Sequence, residues 1–203
     1  MKLLFGTSNK HKIHEVKEII ARHHINIEIV SLNDMEVKYP EPIETGKTFL
    51  ENAIIKAKYY YEKYSMPVIS DDSGLVVDAL KGLPGVFSAR FASTNTHNAT
   101  SKDNRVKLLT ELGSCKNRNA HFVCSIVYYD GAHIVSESGI VDGVITYEEI
   151  GSNGFGYDSL FFIPSLNKTM AEISEDEKNV LSHRGKAVNN LLDILTKKHI
   201  ILS

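Results

Sequence analysis

The sequence predicts a mixed α/β fold built on an elongated central sheet. Near the N-terminus, short apolar runs alternate with stretches of helical spacing, as in strand–helix units. From Phe122 to Ile145, β-type runs follow one another with only turn residues between them, as in antiparallel hairpins. A parallel core and a hairpin-rich lobe, with a cleft between them, would satisfy both. The chain has 203 residues, 42% of them hydrophobic, enough to bury a substantial core. The expectation is one domain over residues 1–203 with two lobes.

Each element has its own signal. Lys2–Phe5 is an apolar first strand, and Gly6–Asn9 a small polar turn. From Lys10 to about Arg22, Ile13, Val16, Ile19 and Ile20 fall on one helical face. Ile27–Val30 is a second strand, and Ser31–Gly46, with Pro40 and Pro42, an irregular connection. A helix follows from Thr48, with Phe49, Ala53, Ala57 and Tyr60 at helical intervals and a Thr48/Glu51 capping box. Met66–Ile69 and Leu75–Val77 flank Asp71-Asp72, which places the acidic pair at a strand end or turn. Gly82–Gly85 is a tight turn opening into Val86–Phe91. Residues 93–102 form a polar surface loop, and a helix from about Lys102 to Leu112 stops at Gly113. Phe122–Tyr129 and Ala132–Glu137 pair across Asp130-Gly131, and Gly139–Ile145 adds another strand. Leu160–Ile163 is a strand stopped by Pro164. The last helix runs from about Lys186 to Thr196, with Val188, Leu191, Leu192 and Leu195 on its packed face.

Composition excludes some function classes. A formal charge of -2 offers no broad footprint for nucleic acid. The two cysteines, Cys115 and Cys124, have neither a disulfide framework nor zinc-ligand spacing, and Cys124 lies in an apolar β run. No apolar stretch is long enough to span a membrane, and the N-terminus turns polar too soon for a signal sequence, so a cytoplasmic protein is expected.

The chemistry centres on Asp71-Asp72. Adjacent carboxylates repel, the more so when buried, and a divalent cation removes that cost. Hard oxygen ligands suit Mg²⁺, with Mn²⁺ as a substitute. A solvent-exposed Asp-Asp-Ser-Gly turn is the alternative. The loop Thr7-Ser8-Asn9 before the first helix, with Lys10 and Lys12, suits an anion, although no Walker loop is present. The same residues also fit a simple helix cap. Lys56 is either a ligand lysine or a solvated helix residue. Phe155 in Gly154-Phe155-Gly156-Tyr157-Asp158 offers a face for stacking on a nucleobase, or belongs to an ordinary turn. Ser182-His183-Arg184 offers donors to purine or phosphate oxygens, or solvates a helix terminus.

Together these segments resemble the inosine triphosphate pyrophosphatase (Ham1-like) family over nearly the whole chain. The matching pieces, in order, begin with Thr7-Ser8-Asn9 with Lys12, Glu44-Thr45-Gly46, Glu51-Asn52-Ala53 and Lys56-Ala57. Asp71-Asp72-Ser73-Gly74-Leu75, Gly82-x-Pro84-Gly85 and Ser88-Ala89-Arg90 come next. Gly154–Asp158 and Ser182–Gly185 complete the set. One departure is Ser159, where the family usually has proline. The segment Gly113–Asn119 is also short.

The resemblance implies a two-lobed α/β fold, a homodimer, and cleavage of ITP, dITP or XTP to the monophosphate and pyrophosphate. It implies that Thr7, Ser8, Asn9, Lys10, His11, Lys12 and Lys56 hold the triphosphate, with Ser73 beside the acidic pair. It gives Glu44 and Asp72 to the metal and makes Asp72 the proton acceptor, with Asp71 sharing that work in a division the sequence leaves open. Phe155, Gly156, Tyr157 and Asp158 would frame the base, with Lys178, His183 and Arg184 completing its pocket. The competing readings are a broader-specificity Maf-like pyrophosphatase and a non-catalytic purine-nucleotide-binding module. Nucleic-acid and membrane partners are not expected.

Overall fold

The computed structural model describes residues 1–201 except 24, 95 and 97. Asn95 and His97 of the predicted surface loop therefore lie outside the described residues. The chain runs β1 (Lys2–Phe5), α1 (Lys10–Arg22), β2 (Glu28–Ser31), α2 (Phe49–Tyr64), β3 (Val68–Val77) and α3 (Ser101–Leu112). It continues with β4 (Asn119–Tyr129), β5 (Ile134–Ile145), β6 (Phe161–Ile163), β7 (Lys168–Thr169), α4 (Glu175–Leu181) and α5 (His183–Lys197). The strands form one mixed sheet in the order β2-β1-β3-β4-β5-β6-β7. β1 is parallel to both β2 and β3, while β6 is antiparallel to β5 and β7. By contacts the chain divides into two compact units, and β3, β4 and β5 contribute residues to each.

The first unit comprises Met1–Asp72, Cys124–Gly139 and Asn179–Ser203. Its organisation follows from strand alternation in β1. Leu3 and Phe5 join a core with Ile13, Val16, Ile19 and Ile20 of α1 and Leu191, Leu192 and Leu195 of α5. Leu4 belongs to a separate core with Ala53, Ala57 and Tyr60 of α2 and Val68 of β3. α1 is capped by Asn9, whose side chain accepts from the amides of His11 and Lys12. α2 carries the predicted capping box, with Thr48 and Glu51 exchanging bonds. A Cβ at Gly139 would collide with His183 O and Ala187 N, so the backbone of α5 lies directly on β5.

The second unit comprises Ser73–Val123 and Ile140–Lys178. Leu75, Phe91, Leu108, Leu112, Phe122, Ile145 and Phe161 share its core, and the rings of Phe122 and Phe161 are 4.5 Å apart. Asn104 of α3 donates to Ala89 O and accepts from Ala92 N, which ties the 3-10 segment Gly85–Arg90 to that helix.

Three expectations need correction, and one stretch with no expected element is a helix. Asp71 and Asp72 stand inside one ten-residue strand, not at its end. The predicted pair of strands at 132–137 and 139–145 is the single strand β5: Ser138 bonds Ser125 of β4 at 3.0 Å, and Gly139 admits α5 rather than making a turn. The last helix begins three residues earlier than expected, because Ser182 caps it by accepting from Gly185 N. The acidic stretch 175–181 is a helix of its own, α4.

The β4–β5 turn is built on Asp130, which accepts from the backbone amides of Ala132 and His133 and from the Tyr128 hydroxyl. Burial pushes its carboxyl up, but the His133 amide and the other donors outweigh that and bring it down to about 2. A carboxyl lowered on folding stabilises above its unfolded value, and the contribution disappears as pH falls through the folded one. Asp130→Asn is therefore expected to lower the urea midpoint at pH 7. Its gap from the parent should narrow as pH drops from the unfolded value of 3.8 towards about 2. Paired urea titrations across that range check this.

Candidate active site

In the first unit, a buried charge cluster surrounds the acidic pair. Asp71 is 1% exposed. Lys12 Nζ, one turn into α1, lies 3.1 Å from its Oδ1 and 3.0 Å from its Oδ2. Arg184, at the start of α5, brings Nε and Nη2 each to 3.3 Å from Asp71 Oδ2, and its Nη1 donates to Glu15 of α1. The Cys124 thiol lies 3.8 Å from the same Oδ2. Burial alone would raise the Asp71 carboxyl, but Lys12 and then Arg184 and Lys56 overcome it and hold the group ionised, well below the usual range. Burial beside Asp71 pushes the Cys124 thiol up to about 12, so it stays neutral.

Asp72 has a different environment. Asn52 Nδ2 donates to its Oδ2 at 3.0 Å, and Lys56 Nζ stands 3.5 Å from its Oδ1. Here burial wins: the carboxyl is raised despite Lys56, Lys12 and the Asn52 bond, with Glu44 adding repulsion. Lys56 also bonds Glu44 Oε1 at 2.7 Å. Burial pulls the lysine down, but Asp72, Asp71 and Glu44 more than compensate, so it remains charged. Two carboxylates thus converge on one cation.

The residue before α2 that supplies Glu44 is part of a long connection strapped to α2. Tyr59 and Tyr64 donate to the carbonyls of Pro40 and Val37 at 2.8 and 3.0 Å, and Asn52 Oδ1 accepts from Gly46 N at 2.8 Å. Asn52, fully buried, therefore joins the strap to Asp72. In the β1–α1 loop, Thr7 Oγ1 accepts from Asn9 N and Ser8 donates to Glu41. Lys10 and His11 are exposed, and His183 is buried as the first residue of α5.

The second unit holds the aromatic loop. Gly154 and Gly156 have φ of 75° and 62°, the left-handed region that favours glycine. Asp158 Oδ2 accepts from Phe155 N at 2.9 Å and from Lys178 Nζ at 2.8 Å. The Lys178 ammonium sits 4.9 Å from the Phe155 ring centroid. The Tyr157 hydroxyl donates to Ser88 O at 2.8 Å, and Ser73 is half-buried in β3.

The structure thus groups Lys12, Asp71 and Arg184, groups Glu44, Lys56 and Asp72, and groups Phe155, Asp158 and Lys178. Sequence reasoning missed Glu15 and Asn52 as site neighbours. Glu15 lies three residues after Lys12, on the same side of a helix, and Asn52 is a polar residue next to the apolar face of α2. Both were available signals.

The two aspartates are expected to differ in stability measurements. Asp71→Asn takes the buried counter-charge from Lys12 and leaves Arg184 with Glu15 alone, and should cost about 3 kcal/mol in urea unfolding. Asp72→Asn removes a carboxylate whose ionisation burial disfavours, and should leave the midpoint unchanged or raised at pH 7.

The Ham1 family model matches residues 3–194. The chain is 45% identical over 201 residues to the dITP/XTP pyrophosphatase of Aquifex aeolicus, covering 96% of each. It is 44% identical to the Haemophilus influenzae protein of the same name, covering 94% of this chain and 96% of that one. The solved structure of the Staphylococcus aureus Ham1 protein matches with a TM-score of 0.84 at 36% identity, over 98% of this chain and 100% of that one. A HAM1 protein from Coxiella burnetii gives 0.86 at 36% identity, over 97% and 99%. The matched span contains every site side chain from Thr7 to Arg184, and on this agreement of motif, sequence and fold the chain belongs to the Ham1 family.

Proposed function

We propose that this protein hydrolyses the non-canonical purine nucleoside triphosphates dITP, XTP and ITP to the monophosphate and pyrophosphate. The observation that carries this reading is the buried cluster in which Lys12 and Lys56 meet Asp71, Asp72 and Glu44. The activity in the names of the Aquifex and Haemophilus relatives supports it.

Glu44 and Asp72 already converge on a cation, the Lys56 ammonium, and two carboxylates completed by phosphate and water oxygens suit Mg²⁺. Among the described residues no group of three or more His, Cys, Asp and Glu side chains is arranged to hold a metal by itself. A divalent ion held there would neutralise phosphate charge and acidify water. Asp72 is the proton acceptor, and the Asn52 side chain fixes one of its oxygens. Asp71 is the permanent anion that positions the Lys12 ammonium. Lys12 and Lys56 stabilise the departing pyrophosphate. Asn9 already engages the amides of His11 and Lys12, so phosphate binding at the start of α1 relies on the Lys12 ammonium and the Thr7 and Ser8 side chains.

In the second unit, Phe155 supplies a stacking face, and Lys178 and the loop amides supply donors for a 6-oxo purine. Adenine presents a donor at that position and is disfavoured by donors left unpaired. Arg184, engaged with Asp71 and Glu15, serves in this reading as the support of Asp71. A homodimer acting on free nucleotides in the cytoplasm completes the proposal. Among the described residues, no helix is long and apolar enough to cross a membrane.

The test is pyrophosphate release from ITP, XTP, dITP, GTP and ATP, with and without Mg²⁺. Magnesium-dependent release favouring the first three is expected, with Asp72→Asn reducing kcat by about a hundredfold or more. Release spread evenly over all five would point to a broad Maf-like enzyme, and binding without release to a nucleotide-binding module.

A further inference from the structure

Ser159 follows directly on the aromatic loop. Its hydroxyl donates to Glu149 Oε2 at 3.1 Å. Glu149 Oε1 lies 3.0 Å from Arg105 Nε, and Arg105 Nη1, reaching from α3, donates to Gly156 O at 2.9 Å. A run of polar contacts therefore leaves the aromatic loop at residue 159 and returns to it at residue 156.

Gly156 is where such support has most effect. It has φ of 62° and nothing within 4 Å of where a Cβ would lie, so no side chain of its own packs the backbone there. Gly154 adds a second permissive position two residues earlier. Asp158, Lys178 and Tyr157 fix the loop after these glycines. Arg105 holds the carbonyl of the second one. The Glu149 side chain is 43% exposed, so its ion pair adds little to global stability. Its carboxyl is still held below the usual range, first by the Arg105 bond and also by Ser159. The contacts order a loop more than they stabilise a fold.

We infer that Arg105, Glu149 and Ser159 are positioning residues for base recognition, a polar clamp that sets the 154–158 loop. The inference rests on the proposed role of that loop in binding the purine. Residue 159 is the second residue of the 3-10 turn Asp158–Leu160, and a helical first turn generally accommodates proline. Proline there should substitute for the clamp by restricting the same segment.

The experiment compares the parent, Arg105→Ala, Glu149→Gln and the double variant Arg105→Ala/Ser159→Pro on ITP and ATP. Arg105→Ala is expected to raise KM for ITP by about fivefold to tenfold, as for the loss of one ordinary hydrogen bond. It should lower the ITP-over-ATP ratio while leaving kcat and Tm nearly unchanged. Glu149→Gln should give the same change more weakly, and the double variant should recover KM and selectivity. Unchanged KM and selectivity in Arg105→Ala would overturn the inference. So would a loss of Tm and kcat at constant KM, or no recovery with proline. A parent that is active and selective beside unaffected variants removes only the clamp. A parent that releases no pyrophosphate from ITP removes the proposed function itself and the clamp with it.

Discussion

The site depends on one electrostatic arrangement: a fully buried carboxylate in the middle of a strand, with two cations brought to it from two helices. Asp71 alone would be costly to ionise where it sits. Lys12 from α1 and Arg184 from α5 keep it charged, and Glu15 balances the second cation. Neither helix can shift without exposing an unpaired charge. The apolar core between α1 and α5 and the ionic cluster at their N-terminal ends therefore enforce the same packing.

Two neighbouring residues of one type are thereby given opposite properties. Asp71 is pinned as an anion, while Asp72, with one lysine at longer range and an asparagine, keeps a raised carboxyl. Successive residues of a strand point to opposite faces, so adjacent aspartates necessarily meet different neighbours. In the proposed reaction, one takes the supporting role and the other proton transfer.

Much of this was legible before the structure. Local patterns located α1, α2 and α3 closely, because their apolar spacing and caps agree. The motifs brought Lys12, Glu44, Lys56, Asp72, Phe155 and Lys178 into view. What the sequence hid were properties that arise only between distant segments. The continuity of β3 through Asp71-Asp72 depends on cations 59 and 113 residues away. The continuity of β5 through Ser138 and Gly139 is set by the Ser125 contact and by α5 packing on Gly139, neither of which local sequence displays. The separate helix α4 was obscured by its acidic, nearly patternless sequence. Ser159 was visible as a departure, but its partners Glu149 and Arg105 were not.

Gly139 has a wider consequence. It sits in the middle of a strand and carries no functional group, yet the first turn of α5 rests on its bare backbone. That turn begins with His183 and Arg184. Any side chain placed at Gly139 would push on the platform that aims Arg184 at Asp71. A survey of substitutions along the chain should therefore register this glycine among the functional positions, as a contour of the site drawn by the absence of an atom.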